Sequence, residues 1–170
     1  MIRAELHKKP TTCDRPGAGF SLIELLVVVA LILIIAGVAI PNYIQSKMRA
    51  NESSAVQSLR NISAAELSYS NTYGINFSNA LTDLSGTGSN PDQTSAGLVD
   101  STLATGQKSG YLFSYTPLLT DAQGHPRTYS LTADPTIQGR TGQRHFYTDQ
   151  SGVIRVNPTV PASPSDLPIQ

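Results

Sequence analysis

The stretch PGAGFSLIELLVVVALILIIAG, residues 16–37, places a single carboxylate, Glu24, near the start of an otherwise apolar run. From Leu25 to Ile40 no polar side chain occurs. Phe20 to Ile40 is 21 residues, about 30 Å of helix at 1.5 Å per residue, which matches the hydrocarbon core of a bilayer. Ahead of it stand Arg3, Lys8, Lys9 and Arg15 against Glu5 and Asp14. That positive excess predicts a cytoplasmic N-terminus and an exported C-terminal body. A secretory signal peptide is the competing reading, with IAGVA (35–39) as a weak cleavage site. It gives Glu24 no purpose.

The rest of the chain is of a different kind. Its 170 residues carry a formal net charge of zero, so no global field points to nucleic acid. Hydrophobicity is concentrated at the N-terminal end, and the remainder is rich in Ser, Thr, Asn, Gly and Gln. This is the asymmetry of an apolar anchor carrying a polar body. Cys13 is the one cysteine, which excludes an intramolecular disulfide and a cysteine-based zinc site. A lipoprotein anchor at Cys13 fails because the apolar segment follows the cysteine.

Beyond Pro41 the pattern becomes amphipathic. Ile44, Met48, Ala55, Leu59, Ile62, Ala65 and Tyr69 recur at gaps of three, four and seven, one stripe on a helix. Lys47, Arg49, Glu52, Gln57, Arg60 and Glu66 fall largely off that stripe. The helix is expected to run to about Asn71 and to end near Gly74. Pro41 has no N–H for the carbonyl of Gly37, so these two residues weaken one turn from both ends.

Residues 15–73, with Gly19 before Phe20, Glu24 fifth from Phe20, the unbroken apolar stretch and Pro41 ahead of a polar helix, resemble the N-terminal segment of type IV pilins and type II secretion pseudopilins. The resemblance implies that a prepilin peptidase/N-methyltransferase cuts between Gly19 and Phe20 and methylates the new Phe20 amine. It also implies a homo-oligomeric helical filament in which the amine of one subunit meets Glu24 of its neighbour. Four residues of helix offset those two charges by about 6 Å, which suits a staggered stack. A charge left alone in a low-dielectric bundle is costly, so the pair selects register and partner. A snorkelling interface residue is the plainer reading of Glu24. Ala18, rather than a basic residue, stands beside Gly19. Cys13 leaves with the leader. The family's filaments lose helix near the proline, which makes Gly37 and Pro41 a candidate helix break.

The expected fold is α+β. A long N-terminal helix, apolar in its first half, packs on a small antiparallel sheet of three to four strands. The segments are a removed cytoplasmic leader (1–19), a transmembrane or filament-core half-helix (20–41), an amphipathic half-helix (42–73), an αβ-loop (74–110), a β-meander (111–156) and a proline-rich extended tail (157–170). In the loop, SGTGSNPDQTSAG (85–97) is rich in turn formers, with Leu81, Leu84, Leu98, Val99 and Leu103 expected to pin it. YLFSYTP (111–117), RTYSLTA (127–133), RHFYTD (144–149) and GVIRV (152–156) carry the strand signals. DAQGHP (121–126) and DQSG (149–152) read as turns. Four prolines after Val156 argue against a further strand.

No catalytic set is apparent. His7 lies in the leader, and neither His125 nor His145 has a partner at ligand-like spacing. No cofactor is implied. Asp121, Asp134 and Asp149 lie near turns and are the candidate calcium ligands, and DAQGHPRTYSLTADP (121–135) is faintly similar to the calcium loop of major pseudopilins. Their spacing is not that of a dedicated calcium loop, so they read as surface aspartates and no metal site is assigned. GRTGQR (139–144) lacks the strand and the Lys-Ser/Thr ending of a phosphate loop. Arg127, Arg140, Arg144 and Arg155 are the residues a DNA-binding patch would use.

Two function classes follow from the resemblance. One is a type IV pilus subunit serving adhesion, twitching motility or DNA uptake. The other is a type II secretion pseudopilin in a periplasmic filament for protein export. Both imply a single-pass protein of the bacterial inner membrane before assembly and an assembly platform as partner. A monomeric anchored enzyme would need a catalytic set.

Overall fold

The structure is a computed structural model and describes residues 19–86 and 90–169. Residues 1–18, which carry most of the expected leader with His7 and Cys13, lie outside the described residues. The chain divides into two units, Met1–Ile40 and Pro41–Gln170.

In the first unit, α1 (Leu22–Tyr73) begins. Its apolar residues face solvent: Leu22, Ile23, Leu25, Leu26, Leu33 and Ile34 are all exposed. An 18-residue window here reaches a mean hydropathy of 3.1 with none of it buried inside the fold. Such a face is stable only when something else covers it.

In the second unit, α1 becomes one-sided. Ala55, Leu59, Ile62, Ala65 and Tyr69 are buried at helical spacing. Ile44 is exposed and Met48 half-buried, so the stripe is covered only from Glu52 onward. Gly74, at φ +66°, follows the last turn, and its N–H bonds to the Ser70 carbonyl.

The sheet has five antiparallel strands in sequence order: β1 (Gln107–Lys108), β2 (Tyr111–Thr120), β3 (Pro126–Pro135), β4 (His145–Asp149) and β5 (Arg155–Asn157). This is the expected α+β meander with one more strand than the upper expectation. The extra strand, β1, is two residues long and pairs through Gln107↔Leu112 and Lys108↔Tyr111. So short a strand carries no periodicity of its own.

One face of the sheet meets the helix. Tyr111, Phe113, Tyr129, Leu131, Ala133 and Phe146 join the helical stripe in a single core. The alternation that buries Tyr111 and Phe113 leaves Leu112 and Ser114 outside. Tyr115 stacks on Tyr129 and Phe77 meets Tyr129 edge-on, with centroids 5.4 and 5.0 Å apart.

The segment between helix and sheet contains two single-turn helices, α2 (Leu81–Leu84) and α3 (Ser101–Ala104). Leu81, Leu84 and Leu103 are buried. Leu98 is exposed and Val99 is partly buried. The loop also closes by backbone bonds, Ala96 N–H to Asp83 O at 2.8 Å and Leu98 N–H to Leu84 O at 2.7 Å.

The C-terminal segment forms no named strand but doubles back along β5. Val156 N–H donates to Leu167 O at 3.0 Å, and Ile169 N–H to Ile154 O at 2.9 Å. Asp166 holds the return: its Oδ2 accepts from Ser163 N–H at 2.7 Å and its Oδ1 from Asn157 Nδ2 at 3.0 Å. This contact covers a sheet edge that would otherwise present free backbone groups.

Candidate assembly site

At the start of α1, Gly19 and Phe20 are exposed, Phe20 at 87%. A side chain added at Gly19 would meet nothing within 4 Å. The helix begins at Leu22, which makes Ser21 the N-cap and Glu24 the third helical residue. Ser21 N–H donates to Glu24 Oε2 at 2.9 Å, and Leu25 N–H closes the first turn onto Ser21 O at 3.2 Å. Glu24 therefore does what the acid of a capping box does: it satisfies a backbone donor the helix leaves orphaned. The signal for this cap, Ser-x-x-Glu ahead of an apolar run, stands in the sequence at residues 21–24, although Glu24 was expected only as a pairing or interface acid.

Phe20, Ile23, Glu24, Val27 and Val28 line a shallow hollow of about 400 Å³ on the helix surface. Its walls are apolar and its one charge is the Glu24 carboxylate. Chemically, the hollow offers an anion in a greasy surround, suited to a small cation delivered with apolar surface. Gly37 and Pro41 lie farther along, inside an α1 that is continuous in this structure. Pro41 still removes the bond to the Gly37 carbonyl, and a side chain at Gly37 would meet open space.

Two other acids of α1 anchor the body. Glu52 is buried, and its Oε1 accepts from Gln143 N–H at 2.8 Å and Arg144 N–H at 3.2 Å. Arg144 Nε donates to its Oε2 at 2.7 Å. Burial opposes ionisation of Glu52, but these donors together outweigh it and hold the carboxyl below its ordinary range. The Arg144 guanidinium also lies over the Phe146 ring, 5.6 Å from its centre. Asn51 Nδ2 donates to Thr141 O at 2.7 Å, so the loop 137–144 is tied to the helix at successive residues. Glu66 is fully buried and accepts from Ser78 N–H at 3.0 Å and Ser78 Oγ at 2.5 Å. Burial pushes its carboxyl up, against the hydrogen bonds from Ser78 and Tyr115.

The remaining candidate residues are spread over the body. Asp121 Oδ1 accepts from Gln123 and His125 N–H and shapes the β2–β3 turn. Asp149 Oδ1 accepts from Ser151 N–H in the turn after β4. Asp134 faces His145 across the β3–β4 ladder, with Nδ1 2.6 Å from Oδ1. Among the described residues no group of three acidic, histidine or cysteine side chains is placed to hold a metal. His145 thus has a partner that sequence spacing did not reveal; its Nε2 is buried without a hydrogen bond among the described residues. Of the four arginines, Arg144 is engaged by Glu52 and Arg155 Nη1 donates to Asp166 O at 2.8 Å.

Residues 15–40 match the family model described as the prokaryotic N-terminal methylation motif. The type IV major pilin protein PilA of Myxococcus xanthus (strain DK1622) is 45% identical over 51 residues, which is 30% of this chain and 23% of that protein. The chain thus spans less than a quarter of the length of the curated relative it matches.

Proposed function

We propose that this chain, which carries the N-terminal segment of the type IV pilin and pseudopilin family, is the structural subunit of a type IV pilus. The observation that carries the reading is Glu24, a lone carboxylate capping an exposed apolar helix five residues into the proposed mature chain. Before processing, residues 1–19 form the cytoplasmic leader and residues 20–41 span the inner membrane. A prepilin peptidase/N-methyltransferase removes the leader after Gly19 and methylates Phe20. Exposed Gly19, which no neighbouring side chain shields, supports access for that cut.

Cleavage creates the cation that the Glu24 hollow lacks. The methylated amine stays positively charged, and it arrives with the Phe20 ring beside it. In the filament the amine of one subunit meets Glu24 of the next, offset by about 6 Å along the helix axis. Until then the Ser21 N–H satisfies part of the carboxylate. Exchanging an amide donor for an ammonium turns a hydrogen bond in which only the acceptor is charged into an ion pair. The apolar face passes from lipid to neighbouring helices at the same step, so its contribution comes from helix packing and not from removal of apolar surface from water. The Gly37–Pro41 turn is the place where α1 would yield as helices pack. The inner-membrane assembly platform is the further partner. Adhesion, twitching motility and DNA uptake are the roles such a fibre serves.

The second reading is a type II secretion pseudopilin. The cysteine-free chain left after leader removal favours it, since many pilins close a C-terminal loop with a disulfide. Here a polar clasp at Asp166 closes that segment. Electron microscopy of wild-type and deletion cells separates the two. Surface fibres lost on deletion support the pilus; intact fibres with enzymes trapped in the periplasm support secretion.

The test of the proposal is Glu24→Ala. Loss of one partner of a desolvated pair costs about 3–5 kcal/mol, so fibre yield is expected to fall by more than about tenfold while membrane insertion persists. Wild-type fibre yield from this variant would overturn the proposal.

A further inference from the structure

Glu66 is fully buried and forms no ion pair among the described residues. Both of its oxygens meet one residue of the αβ-loop, Ser78, at 3.0 Å from the backbone nitrogen and 2.5 Å from the hydroxyl. The same hydroxyl lies 3.2 Å from Ala80 O. A serine hydroxyl has one proton to give, and here two acceptors face it. With Glu66 ionised, one of these oxygen–oxygen contacts has no proton. With Glu66 protonated, both are filled: Oε1–H donates to Ser78 Oγ, and Ser78 Oγ–H donates to Ala80 O. From β2, the Tyr115 hydroxyl donates to Ser78 O at 2.9 Å and closes the cluster.

The other titratable groups that face Glu66 are Tyr69 on α1, Asp83 on α2, Tyr115 on β2 and Tyr129 on β3. None of them is a cation, and Asp83 is a second acid. Burial holds the carboxyls of Glu66 and Asp83 above their ordinary range. An ionised Glu66 therefore stands uncompensated as long as the cluster stays closed.

Ser78 lies between two fixed points. Phe77 N–H donates to Pro126 O at 3.0 Å on one side, and Leu81 and Leu84 of α2 are buried on the other. Asn79 is exposed. A solvent-open hollow of about 230 Å³, lined in part by Asn79, Ala80, Thr105, Phe113 and Tyr115, borders the cluster. Movement of residues 78–80 alone would let water reach Glu66 while the sheet stays intact, a local opening rather than unfolding.

We propose that Glu66 and Ser78 form a proton-operated latch on the αβ-loop: with the carboxyl protonated, residues 78–80 are closed on the body, and loss of that proton releases Ser78 and opens them to water. The closed state holds the proton, so the latch is shut in acid and opens as pH rises through the folded pKa of Glu66. Opening also frees the Tyr115 hydroxyl, so the surface beside α2 responds to acidity.

The test is amide exchange in the isotope-labelled full chain in detergent, read by NMR over a pH series and corrected for the intrinsic rate. Protection at Ser78 is expected to fall by up to about tenfold per pH unit once Glu66 deprotonates, with protection at Leu131 in β3 unchanged. In Glu66→Gln the side-chain amide takes the place of Oε1–H as donor to Ser78 Oγ, and Ser78 protection is expected to stay level across the series. Constant protection at Ser78 in the wild-type chain would overturn the proposal. So would a loss shared equally by Leu131, which would mean unfolding of the whole body. The same pH trend in Glu66→Gln would assign the titration to another group and would also overturn it. The comparison of Ser78 with Leu131 in the wild-type chain decides the matter even where the variant does not fold.

Discussion

Glu66 sits beside the helical stripe between Ile62 and Tyr69, yet it is a carboxylate without exposed surface. It fixes the loop after α1 by taking both donors of Ser78. Burial raises its pKa in the folded chain above the unfolded value. The contribution to stability is therefore fully present below the unfolded pKa and is lost as pH rises through the folded one. Glu52 has the opposite sign: its pKa is lowered, so its contribution is present above the unfolded value and lost as pH falls through the folded one. Replacing Glu66 by Gln keeps a neutral amide among the same donors and removes its titration. The Glu66→Gln chain is expected to lose less stability than wild type as pH rises from the acid range to neutrality. Urea titrations at a series of pH values check this, and parallel curves for the two proteins would refute it. Sequence placed Glu52 and Glu66 largely off the stripe, as charged residues should be. Burial through a partner ninety residues away in one case, and through a loop serine in the other, is not written in local periodicity.

The elements differ in how far they could be read. The buried stripe of α1 was legible because its 3.6-residue period is long and repeated. Strands β2, β3 and β4 were legible from alternation and from the turn formers DAQGHP (121–126) between β2 and β3 and DQSG (149–152) after β4. β1 and the return of residues 166–169 along β5 were not, because their pairing is set by a neighbour's edge and not by their own residues. The Asp134–His145 contact depends on strand register, Ala133↔Phe146, which the hairpin connection determines. Gly142 shows how tightly the 137–144 loop fits the sheet. A Cβ there would lie 2.1 Å from the hydroxyl of Tyr111, whose ring is fully buried and whose hydroxyl donates to Arg144 O at 2.8 Å. Gly142→Ala is expected to cost about 2 kcal/mol, the usual price of overpacking. Thermal unfolding of the detergent-solubilised chain checks it, with a fall of roughly 5 °C expected. An unchanged Tm would show that Tyr111 moves aside freely.

For the whole molecule, the division of labour follows from where apolar surface is left uncovered. The body buries its own core between α1 and the sheet. The first half of α1 buries nothing, and its one charge is held by a single backbone donor. The proposed assembly answers both features: neighbouring helices cover the face and a neighbour's amine meets Glu24. In the proposed account, processing after Gly19 supplies the cation by freeing the Phe20 amine. The most direct measurement is the intact mass of the subunit recovered from native polymer. A chain that begins at Phe20, carries one added methyl group and comes from an assembled fibre is the expected result. A chain that still begins at Met1, or one found solely as a monomer in the membrane, would contradict it.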